Sequence, residues 1–384
     1  MARPDVALFL PFPCWGGVET VFLNLARHFA GRGLEVEAVF SVADGPLLDD
    51  FAACARVVDL GNRLMRLHRR ERWGVFDWPA FRRYVRARDP RSLLAAKSTC
   101  NWCVARAKRD LGFPGRAVVS HHIDVRAGRA ALGWLQRAVA DRLESRYRYA
   151  DAVVGVARAI ADGLIESGME PGKVHTIHNP VVTDELYRRA GEPCPHDWLA
   201  HKRGPVVLGA GRLTYQKDFG NLLRAFRVVL DQVPDCRLAI IGDGPDRPAL
   251  ERLAGELGLA ERVDLPGTAA NPCPYMKHAD LYVLSSRYEG FGMTLVEAMA
   301  LGTPVVSTDC PCGPAEVLDS GRHGALVPVG DHLALARAMK EALLHPGPAC
   351  DRVAWARKMF SVEAAGAKYL DLLLPGKGPE AGRA

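Results

Sequence analysis

The sequence of 384 residues has no apolar run that approaches the roughly 20 residues needed to cross a bilayer. It also has no low-complexity tract, and its 48% hydrophobic and 24% charged residues are typical of a globular protein. The opening residues predict a short strand stopped by Pro11 and not a signal peptide. We therefore expect a globular, cytoplasmic protein.

The ten cysteines form no recognisable metal-binding or disulfide framework. Cys100 and Cys103 make a CxxC pattern, and Cys310 and Cys312 make a CxC pattern. Neither pattern has a second pair or a histidine cluster at zinc-site spacing. A disulfide scaffold is typical of short exported chains and not of a chain this long. We interpret both pairs as packing or loop residues and predict no metal ion.

Alternating strand and helix patterns occur in both halves of the chain. In the first half, strands are predicted at 6–10, 36–40, 117–120, 152–156 and 174–177, with a helix at about 18–30. In the second half, strands are predicted at 206–210, 237–241, 263–265, 281–285, 303–307 and 325–327, with helices near 218–233, 246–257, 293–301 and 332–344. This order predicts two tandem Rossmann-like, doubly wound α/β domains with a ligand cleft between them.

The length of the chain suits two domains of roughly 150–200 residues. Pro193, Pro195 and Pro205 lie among polar residues and indicate a linker. The expected organisation is a first domain at 1–190, a linker at 191–204, a second domain at 205–360, and a C-terminal helix or tail at 361–384 that crosses back to the first domain.

Glu289 and Glu297 flank a glycine-containing turn into a helix. The turn comprises Gly290, Phe291, Gly292, Met293 and Thr294. Its glycines allow close backbone approach, and the free N–H groups of a helix start suit a phosphate. The two carboxylates can accept hydrogen bonds from hydroxyl groups of the same ligand. The pattern predicts a sugar-nucleotide site, and the alternative is an ordinary surface loop before a helix.

Gly211, Arg212 and Lys217 follow the first strand of the second half, at the end where such sheets bind ligands. Arg212 can hold a phosphate with its planar guanidinium, and Lys217 adds a compact positive charge. Together they could neutralise a diphosphate leaving group as its charge develops. The alternative is that both are solvated surface cations.

Two features of the first half also end strands. Gly16 and Gly17 let backbone amides approach a phosphate or an acceptor, or they form only a structural turn. They are not the dinucleotide fingerprint, because the third glycine and the acidic residue of that motif are missing. His121 and His122 end another strand, where an imidazole can bind a sugar hydroxyl or shield developing charge. Side-chain alternation predicts that only one of them faces the cleft.

Taken together, these motifs resemble those of the retaining glycosyltransferases of family 4, which have the GT-B fold. The resemblance covers nearly the whole chain, and its specific segments are Gly211-Arg212 with Lys217, 288–292, 297–306 and 313–316. It implies transfer of a hexosyl or N-acetylhexosaminyl group from a nucleoside diphosphate sugar to an acceptor hydroxyl, with retention. It also implies that neither a metal ion nor another cofactor is needed.

The resemblance implies a role for each candidate residue. The catalytic residues would be His122, Glu289, Arg212 and Lys217. Arg212 and Lys217 would hold the diphosphate, and Glu289 would orient the donor sugar near His122. Glu297 would bind the nucleotide ribose, and Gly211 with the turn at 290–294 would complete the donor site.

In the first domain, which would bind the acceptor, Gly16 and Gly17 would form a loop over donor and acceptor. The segment from Asn271 to Phe291 resembles enzymes of surface-polysaccharide and lipopolysaccharide biosynthesis, which favours a UDP-sugar donor and a saccharide or lipid-linked acceptor. The alternatives are a GDP-mannose-dependent mannosyltransferase and a nucleotide-sugar epimerase of the same fold.

Ten arginines and only three acidic residues lie between Arg63 and Arg91. One face of a possible helix there carries Phe81, Tyr84 and Val85, with Arg82, Arg83 and Arg86 beside it. We expect this segment to dock on an anionic membrane surface, so that the protein is peripheral on the inner face of the cytoplasmic membrane. The alternative is that arginine is abundant throughout this protein, so that the segment has no special role at a membrane. Nucleic acid is not an expected partner, because no motif for it is present.

Overall fold

The computed structural model describes residues 3–68, 74, 76–123 and 144–376. It divides into two compact units, the first made of Met1–Pro180 with Val362–Ala384 and the second of Val181–Ser361. Three arginines of the basic segment, Arg69, Arg70 and Arg72, lie outside the described residues. No helix within these ranges is long and apolar enough to cross a membrane.

The first unit has a seven-stranded parallel sheet in the order β3-β2-β1-β4-β5-β6-β7. Its strands are β1 Val6–Leu10, β2 Val36–Phe40, β3 Arg56–Asp59, β4 Ser92–Ala96, β5 Arg116–His121, β6 Ala152–Gly155 and β7 Val174–Thr176. Every residue of β1, β2 and β4 is buried, as expected for a parallel sheet covered on both faces. The direction of winding reverses between β1 and β4, and such a switch point leaves a crevice at the carboxyl ends of the strands.

The helix α1 is amphipathic and starts directly after the glycine turn at Gly16. The helices among the described residues of the first unit, apart from its last one, are α1 Gly17–Gly31, α2 Leu48–Ala52, α3 Arg63–His68, α4 Trp78–Arg88, α5 Ser98–Leu111 and α6 Arg158–Glu166, with short 3-10 turns at Tyr147–Tyr149 and Pro171–Lys173.

The second unit has a six-stranded sheet in the order β10-β9-β8-β11-β12-β13, with its switch point between β8 and β11. Its strands are β8 Val206–Ala210, β9 Arg237–Ile241, β10 Val263–Gly267, β11 Leu281–Leu284, β12 Val305–Thr308 and β13 Ala325–Val327. Its helices are α7 Asp184–Ala190, α8 Asp197–Ala200, α9 Phe219–Leu230, α10 Arg247–Glu256, α11 Cys273–His278, α12 Met293–Ala300, α13 Pro314–Val317, α14 His332–Leu344 and α15 Ala349–Phe360. The segment 191–204, predicted as a linker, lies inside this unit and contains α8.

The last helix, α16 Val362–Leu373, belongs to the first unit. Tyr369 and Leu373 are fully buried there. Gly366 faces the ring of His28 in α1 so closely that a Cβ at this position would collide with it. Arg116 Nε, at the start of β5, donates a hydrogen bond of 3.1 Å to the carbonyl oxygen of Leu372. Residues after Ser361 therefore complete the core of the first unit.

The predicted α/β class with two doubly wound units is confirmed. The sequence does not predict β3 and β4, for different physical reasons. β3 is a four-residue edge strand whose residues are all at least partly exposed, so it lacks a buried apolar run. β4 is a short run of Ser, Leu and Ala that leads almost directly into α5, and its periodicity does not distinguish a strand from a helix.

The apolar face predicted for membrane contact on α4 points into the protein instead. Phe81 is fully buried and stacks on Phe9 of β1, with 4.5 Å between the ring centroids. The hydroxyl of buried Tyr84 donates a hydrogen bond of 2.7 Å to Glu37 Oε2. Val85 is also buried. The helical pattern is therefore a core pattern, and the expectation that these three side chains contact lipid is wrong.

Candidate active site

In the second unit, the loops after β8 and β11 leave adjacent strands at the switch point of the sheet. Hydrogen bonds join the two loops: Arg287 N donates to Gln216 O (2.8 Å), Gln216 Nε2 donates to Tyr288 O (3.0 Å), and Ser285 Oγ donates to Lys217 O (2.8 Å). The loops that carry the predicted phosphate-binding cations and the first glutamate therefore form one connected structure.

Lys217 and Glu289 meet within this structure. Lys217 Nζ lies 2.6 Å from Glu289 Oε1, and their side chains are only 15% and 8% exposed. Ser286 Oγ donates a second hydrogen bond of 2.6 Å to the same oxygen. Both bonds converge on Oε1, so that Oε2 and two of the three ammonium N–H groups have no partner among the described residues. The pair is fixed in place, with hydrogen-bonding capacity left for a ligand.

Two glycines permit the close backbone approaches that support these loops. A Cβ on Gly242 would collide with the carbonyl oxygen of Gly211, and a Cβ on Gly313 would collide with that of Phe291. Both glycines also have positive φ, at 134° and 102°, where L side chains are disfavoured. The turn at Gly242 thus supports the loop after β8 directly.

The start of α12 is the predicted phosphate-binding turn. Gly292 is the residue before the helix, with a left-handed φ of 87°. The N–H groups of the first helical turn have no acceptor within a helix. The Thr294 hydroxyl accepts a hydrogen bond of 2.7 Å from Tyr282 Oη. Phe291 is buried, and its ring contacts Phe360 of α15, so it can offer a ligand only its backbone.

Glu297 lies on α12 and is partly buried. Burial raises the pKa of its carboxyl group, and the positive charge of Arg189 on α7 opposes this shift. Burial raises the pKa of Tyr282 in β11 as well, and the charges of both Glu289 and Glu297 add to that increase. The charges of both glutamates therefore act on the same buried phenol.

Arg212 shares the loop after β8 with Lys217 but does not join the ion pair. Its side chain is exposed and makes no hydrogen bond or ion pair with any residue in the described ranges. The neighbouring Tyr215 contacts the guanidinium of Arg287, which lies 4.5 Å from the ring centroid and forms an ion pair with Asp218 at 2.9 Å. Arg212 is thus available to a ligand, whereas Arg287 is already engaged.

In the first unit, the two adjacent histidines have different surroundings. His121 is the last residue of β5, and its Nε2 lies 3.5 Å from Glu144 Oε1. His122 follows the strand, with Nε2 3.1 Å from Ser120 Oγ. Its ring lies 6.5 Å from that of Phe22 in α1, the helix that begins at the glycine turn. His122 is therefore the histidine on the side of Gly16 and Gly17.

Burial lowers the pKa of His122 to about 3, and the positive charges of His121 and Lys97 contribute to the shift. The imidazole is therefore neutral near pH 7. A neutral ring can accept a hydrogen bond at one nitrogen and donate one at the other. It can contact a ligand hydroxyl without adding a full positive charge at this position.

We expect His122 to make folding stability sensitive to acid. The unfolded chain binds a proton at His122 below about pH 6.5, whereas the folded protein does so only near its lowered pKa. Stability is therefore lost progressively as the pH falls from 6.5. The melting temperature of His122→Gln relative to wild type should rise as the pH is lowered from 7.5 to 5. His345→Gln, an exposed control, should show no such trend. A gap that stays constant with pH would mean that the folded protein protonates His122 as readily as the unfolded chain does, and would contradict the prediction.

Two charged residues beside the glycine turn were missed by sequence analysis. Glu19, in the first turn of α1, is buried, and Lys97 Nζ lies 3.4 Å from its Oε1. Glu19 has a sequence signal, since an acidic residue three positions after a helix cap is a capping pattern. Lys97 has none, because it follows the unpredicted strand β4.

No group of three or more His, Cys, Asp or Glu residues that could hold a metal ion occurs in the described part of the chain. The cysteines of both short motifs are buried and form no disulfide with one another. Cys310 lies near the ion pair of the second unit, and burial together with the charge of Glu289 raises the pKa of its thiol. It is therefore a protonated packing residue near neutral pH.

Comparison with known proteins identifies the class. The fold matches the crystal structure of HepE from Anabaena in complex with UDP, with a TM-score of 0.77 and 21% identity over 96% of this chain and 99% of that one. Two family models match successive halves of the sequence, Glycosyltransferase Family 4 at residues 15–185 and Glycosyl transferases group 1 at residues 195–358. Together they cover most of the chain. The fold and the matches define a glycosyltransferase with the GT-B architecture, and the chain belongs to glycosyltransferase family 4.

Curated relatives extend the match. The chain is 27% identical to the lipopolysaccharide core biosynthesis glycosyltransferase LpsE of Rhizobium meliloti, over 85% of each protein. It is 35% identical to the uncharacterized glycosyltransferase MJ1059 of Methanocaldococcus jannaschii, over 45% of this chain and 43% of that protein. The second match thus spans less than half of the relative.

Proposed function

We propose that this protein transfers a hexosyl or N-acetylhexosaminyl group from a nucleoside diphosphate sugar to a saccharide or lipid-linked acceptor in cell-surface polysaccharide or glycolipid assembly. The observation that carries the proposal is the fixed pair of Lys217 and Glu289 at the carboxyl edge of the second sheet. A cation, a helix start and carboxylates lie along one sheet edge. The cation suits the charge of the diphosphate, the helix start suits its phosphate oxygens, and the carboxylates suit the hydroxyl groups of such a donor.

Each residue of this edge has a role in the proposal. Lys217 and the exposed Arg212 neutralise the diphosphate, and the amides at the start of α12 bind its oxygens. Glu289 accepts hydrogen bonds from the donor sugar through Oε2, since Oε1 is already used by Lys217 and Ser286. Glu297 accepts hydrogen bonds from the ribose.

The proposed reaction keeps the anomeric configuration. The bond between C1 of the sugar and the diphosphate oxygen breaks, and the acceptor oxygen bonds to C1 from the same face. The acceptor proton passes to the departing phosphate. Positive charge at C1 and negative charge on the diphosphate grow together, and Lys217 stabilises the latter without a metal ion. We assign the acceptor side to the first unit, where Gly16, Gly17 and His122 lie at one sheet edge.

A UDP-sugar is the favoured donor. HepE, the structural neighbour, was crystallised with UDP and also with UDP-glucose. The relative LpsE acts in lipopolysaccharide core biosynthesis. A GDP-mannose-dependent mannosyltransferase is the alternative transferase. A nucleotide-sugar epimerase is the alternative reaction, and it would return an isomerised donor without consuming an acceptor.

A donor screen followed by product analysis tests the proposal. Thermal shift against UDP, GDP and their sugars should show stabilisation by one nucleotide series. Mass spectrometry with candidate lipid-linked acceptors should then show one added sugar, and NMR of the product should show a retained anomeric configuration. EDTA should leave the rate unchanged. Isomerisation without transfer would favour the epimerase, and an inverted product would contradict the proposed mechanism.

We also propose that the basic segment docks the protein on an anionic membrane. The contact is made by the charges of its arginines and not by the apolar face of α4. Arg82, Arg83 and Arg86 are exposed. Leu67 of α3 and Phe76 are large apolar side chains that are more than half exposed. Exposed arginines and exposed apolar side chains within one segment of the chain suit an anionic lipid surface.

Vesicle flotation should show binding to vesicles that contain anionic lipid and little binding to neutral ones. Replacing Arg82, Arg83 and Arg86 together with glutamate should weaken binding at least about tenfold. The matched control replaces three exposed arginines of the second unit, Arg224 and Arg227 of α9 and Arg252 of α10, with glutamate and should bind as wild type does. Equal loss in both variants, or equal binding to both kinds of vesicle, would contradict the proposal.

A further inference from the structure

Three neighbouring strands of the first unit end at the same edge, and each is followed by a residue of interest. β1 pairs with β4, and β4 pairs with β5. The glycine turn comes after β1, Lys97 directly follows β4, and His122 directly follows β5. Lys97 therefore follows β4, which lies in the sheet between β1 and β5. The strand β1 leads to the glycine turn, and β5 leads to His122. This edge is also the switch point of the sheet.

The backbone of Lys97 has a positive φ of 71°, with ψ at 142°. Residues other than glycine rarely adopt such angles, and they persist only where the surroundings enforce them. Such strained residues cluster at functional sites. Lys97, just before α5, is therefore held in an unfavourable backbone conformation. We infer from this that the protein needs the Lys97 side chain at this position.

Glu19 supplies the reason for that requirement. Its side chain is only 2% exposed, and its Oε1 has no hydrogen-bond partner within the described ranges. Lys97 Nζ, at 3.4 Å, balances its charge. The other oxygen, Oε2, lies so close to Gly16 that a Cβ on this glycine would collide with it. Since a buried carboxylate without a cation is strongly destabilising, Lys97 is tied to Glu19 and, through it, to the glycine turn.

We propose that Lys97 and Glu19 are positioning residues for sugar transfer, whose ion pair fixes the Gly16–Gly17 turn and His122 relative to each other. Glu19 packs against the turn from α1, and Lys97 reaches it from the strand next to that of His122. The charge of Lys97 also helps to keep His122 neutral. The inference rests on the proposed function, and it adds two residues that act through the turn and His122 without contacting the substrate.

Lys97→Met should lower kcat by about 10- to 100-fold, because a small displacement of positioned groups costs rate. The donor KM should change by less than about threefold, since donor binding is assigned to the second unit. Lys97→Arg keeps the charge and should recover part of the rate. The matched control is Lys108→Met. The side chain of Lys108 is 20% exposed, close to the 25% of Lys97. Its Nζ lies 2.9 Å from Asp151 Oδ2, near the amino end of β5 and so at the opposite end of the strand from His122.

A second readout does not depend on activity. Amide hydrogen exchange at Gly16 and Gly17 should become faster in Lys97→Met and in Glu19→Gln, and should be unchanged in Lys108→Met. If a single variant does not fold, the double variant of Glu19→Gln with Lys97→Met removes both charges of this ion pair together. It should also show fast exchange at the turn.

These measurements separate the inference from the proposed function. A wild-type protein that transfers no sugar would contradict the proposed function, and glycine exchange would then decide the positioning alone. If Lys97→Met matched Lys108→Met in both kcat and glycine exchange, the ion pair would be a purely structural one and the inference would be wrong.

Discussion

Replacing Lys217 with methionine is expected to lower kcat by about 100- to 1000-fold, with a change of less than about threefold in the donor KM. The ammonium is held by Glu289 at 2.6 Å before any ligand arrives, so it is oriented in advance. Its charge interacts most strongly with the diphosphate once that group begins to leave. The interaction is therefore larger in the transition state than in the bound donor. Steady-state kinetics over a range of donor concentrations measures both constants.

The same substitution leaves the Glu289 carboxylate buried without its cation, and this effect must be separated from the loss of charge at the diphosphate. The double variant of Lys217→Met with Glu289→Gln makes the distinction when it is compared with Glu289→Gln alone, because Glu289 is itself assigned to the donor sugar. If the cation matters for leaving-group departure, the double variant is slower than Glu289→Gln. Lys202→Met, which breaks the exposed pair of Lys202 with Asp280 in the same unit, should keep the wild-type kcat. A double variant as fast as Glu289→Gln, or a defect in KM alone, would contradict the role given to Lys217.

Replacing Glu297 with glutamine is expected to weaken nucleotide binding by about 10- to 100-fold and, at the same time, to raise the melting temperature of the free protein. Burial raises the pKa of this carboxyl above its unfolded value. Keeping it ionised at neutral pH therefore opposes folding, and the penalty disappears as the pH falls through the raised pKa. Glutamine removes the penalty but also removes the charged acceptor proposed for the ribose.

The two effects of Glu297→Gln have separate measurements. Calorimetric titration with UDP measures the affinity, and melting curves from pH 8 to pH 5 measure the stability. The gain in melting temperature should be largest at pH 8 and should shrink toward pH 5. Glu341→Gln, an exposed glutamate on α14, should change neither quantity. Unaltered UDP affinity would remove Glu297 from the proposed ribose site.

The second unit was more predictable from sequence than the first. Its strands are short apolar runs ended by glycine turns, so that both the elements and the loops after β8 and β11 are visible as local patterns. The candidate site lies on two such loops, and Lys217 and Glu289 were each proposed as site residues from their motifs, but the ion pair between them was not predicted. The support given by Gly242 to the loop after β8 could not be predicted, because it depends on a contact between separate turns.

In the first unit, local patterns were misleading where tertiary contacts decide the outcome. Phe81 lies on an amphipathic helix whose apolar face could contact either lipid or a sheet, and only packing against Phe9 settles the choice. Lys97 was missed along with β4. Glu19 looks like an ordinary acidic residue early in a helix until its burial and its cation are seen. His121 and His122 could be told apart only by their neighbours.

The return of α16 to the first unit constrains the order in which the protein can mature on the ribosome. The second unit is one continuous stretch, so all of its residues have been synthesised before the last helix is made. The first unit begins earlier but must wait for Tyr369 and Leu373 to fill its interior. The half of the enzyme that emerges first is thus the half that finishes last. A nascent chain stopped near Ser361 would expose an apolar surface on the first unit that chaperones recognise.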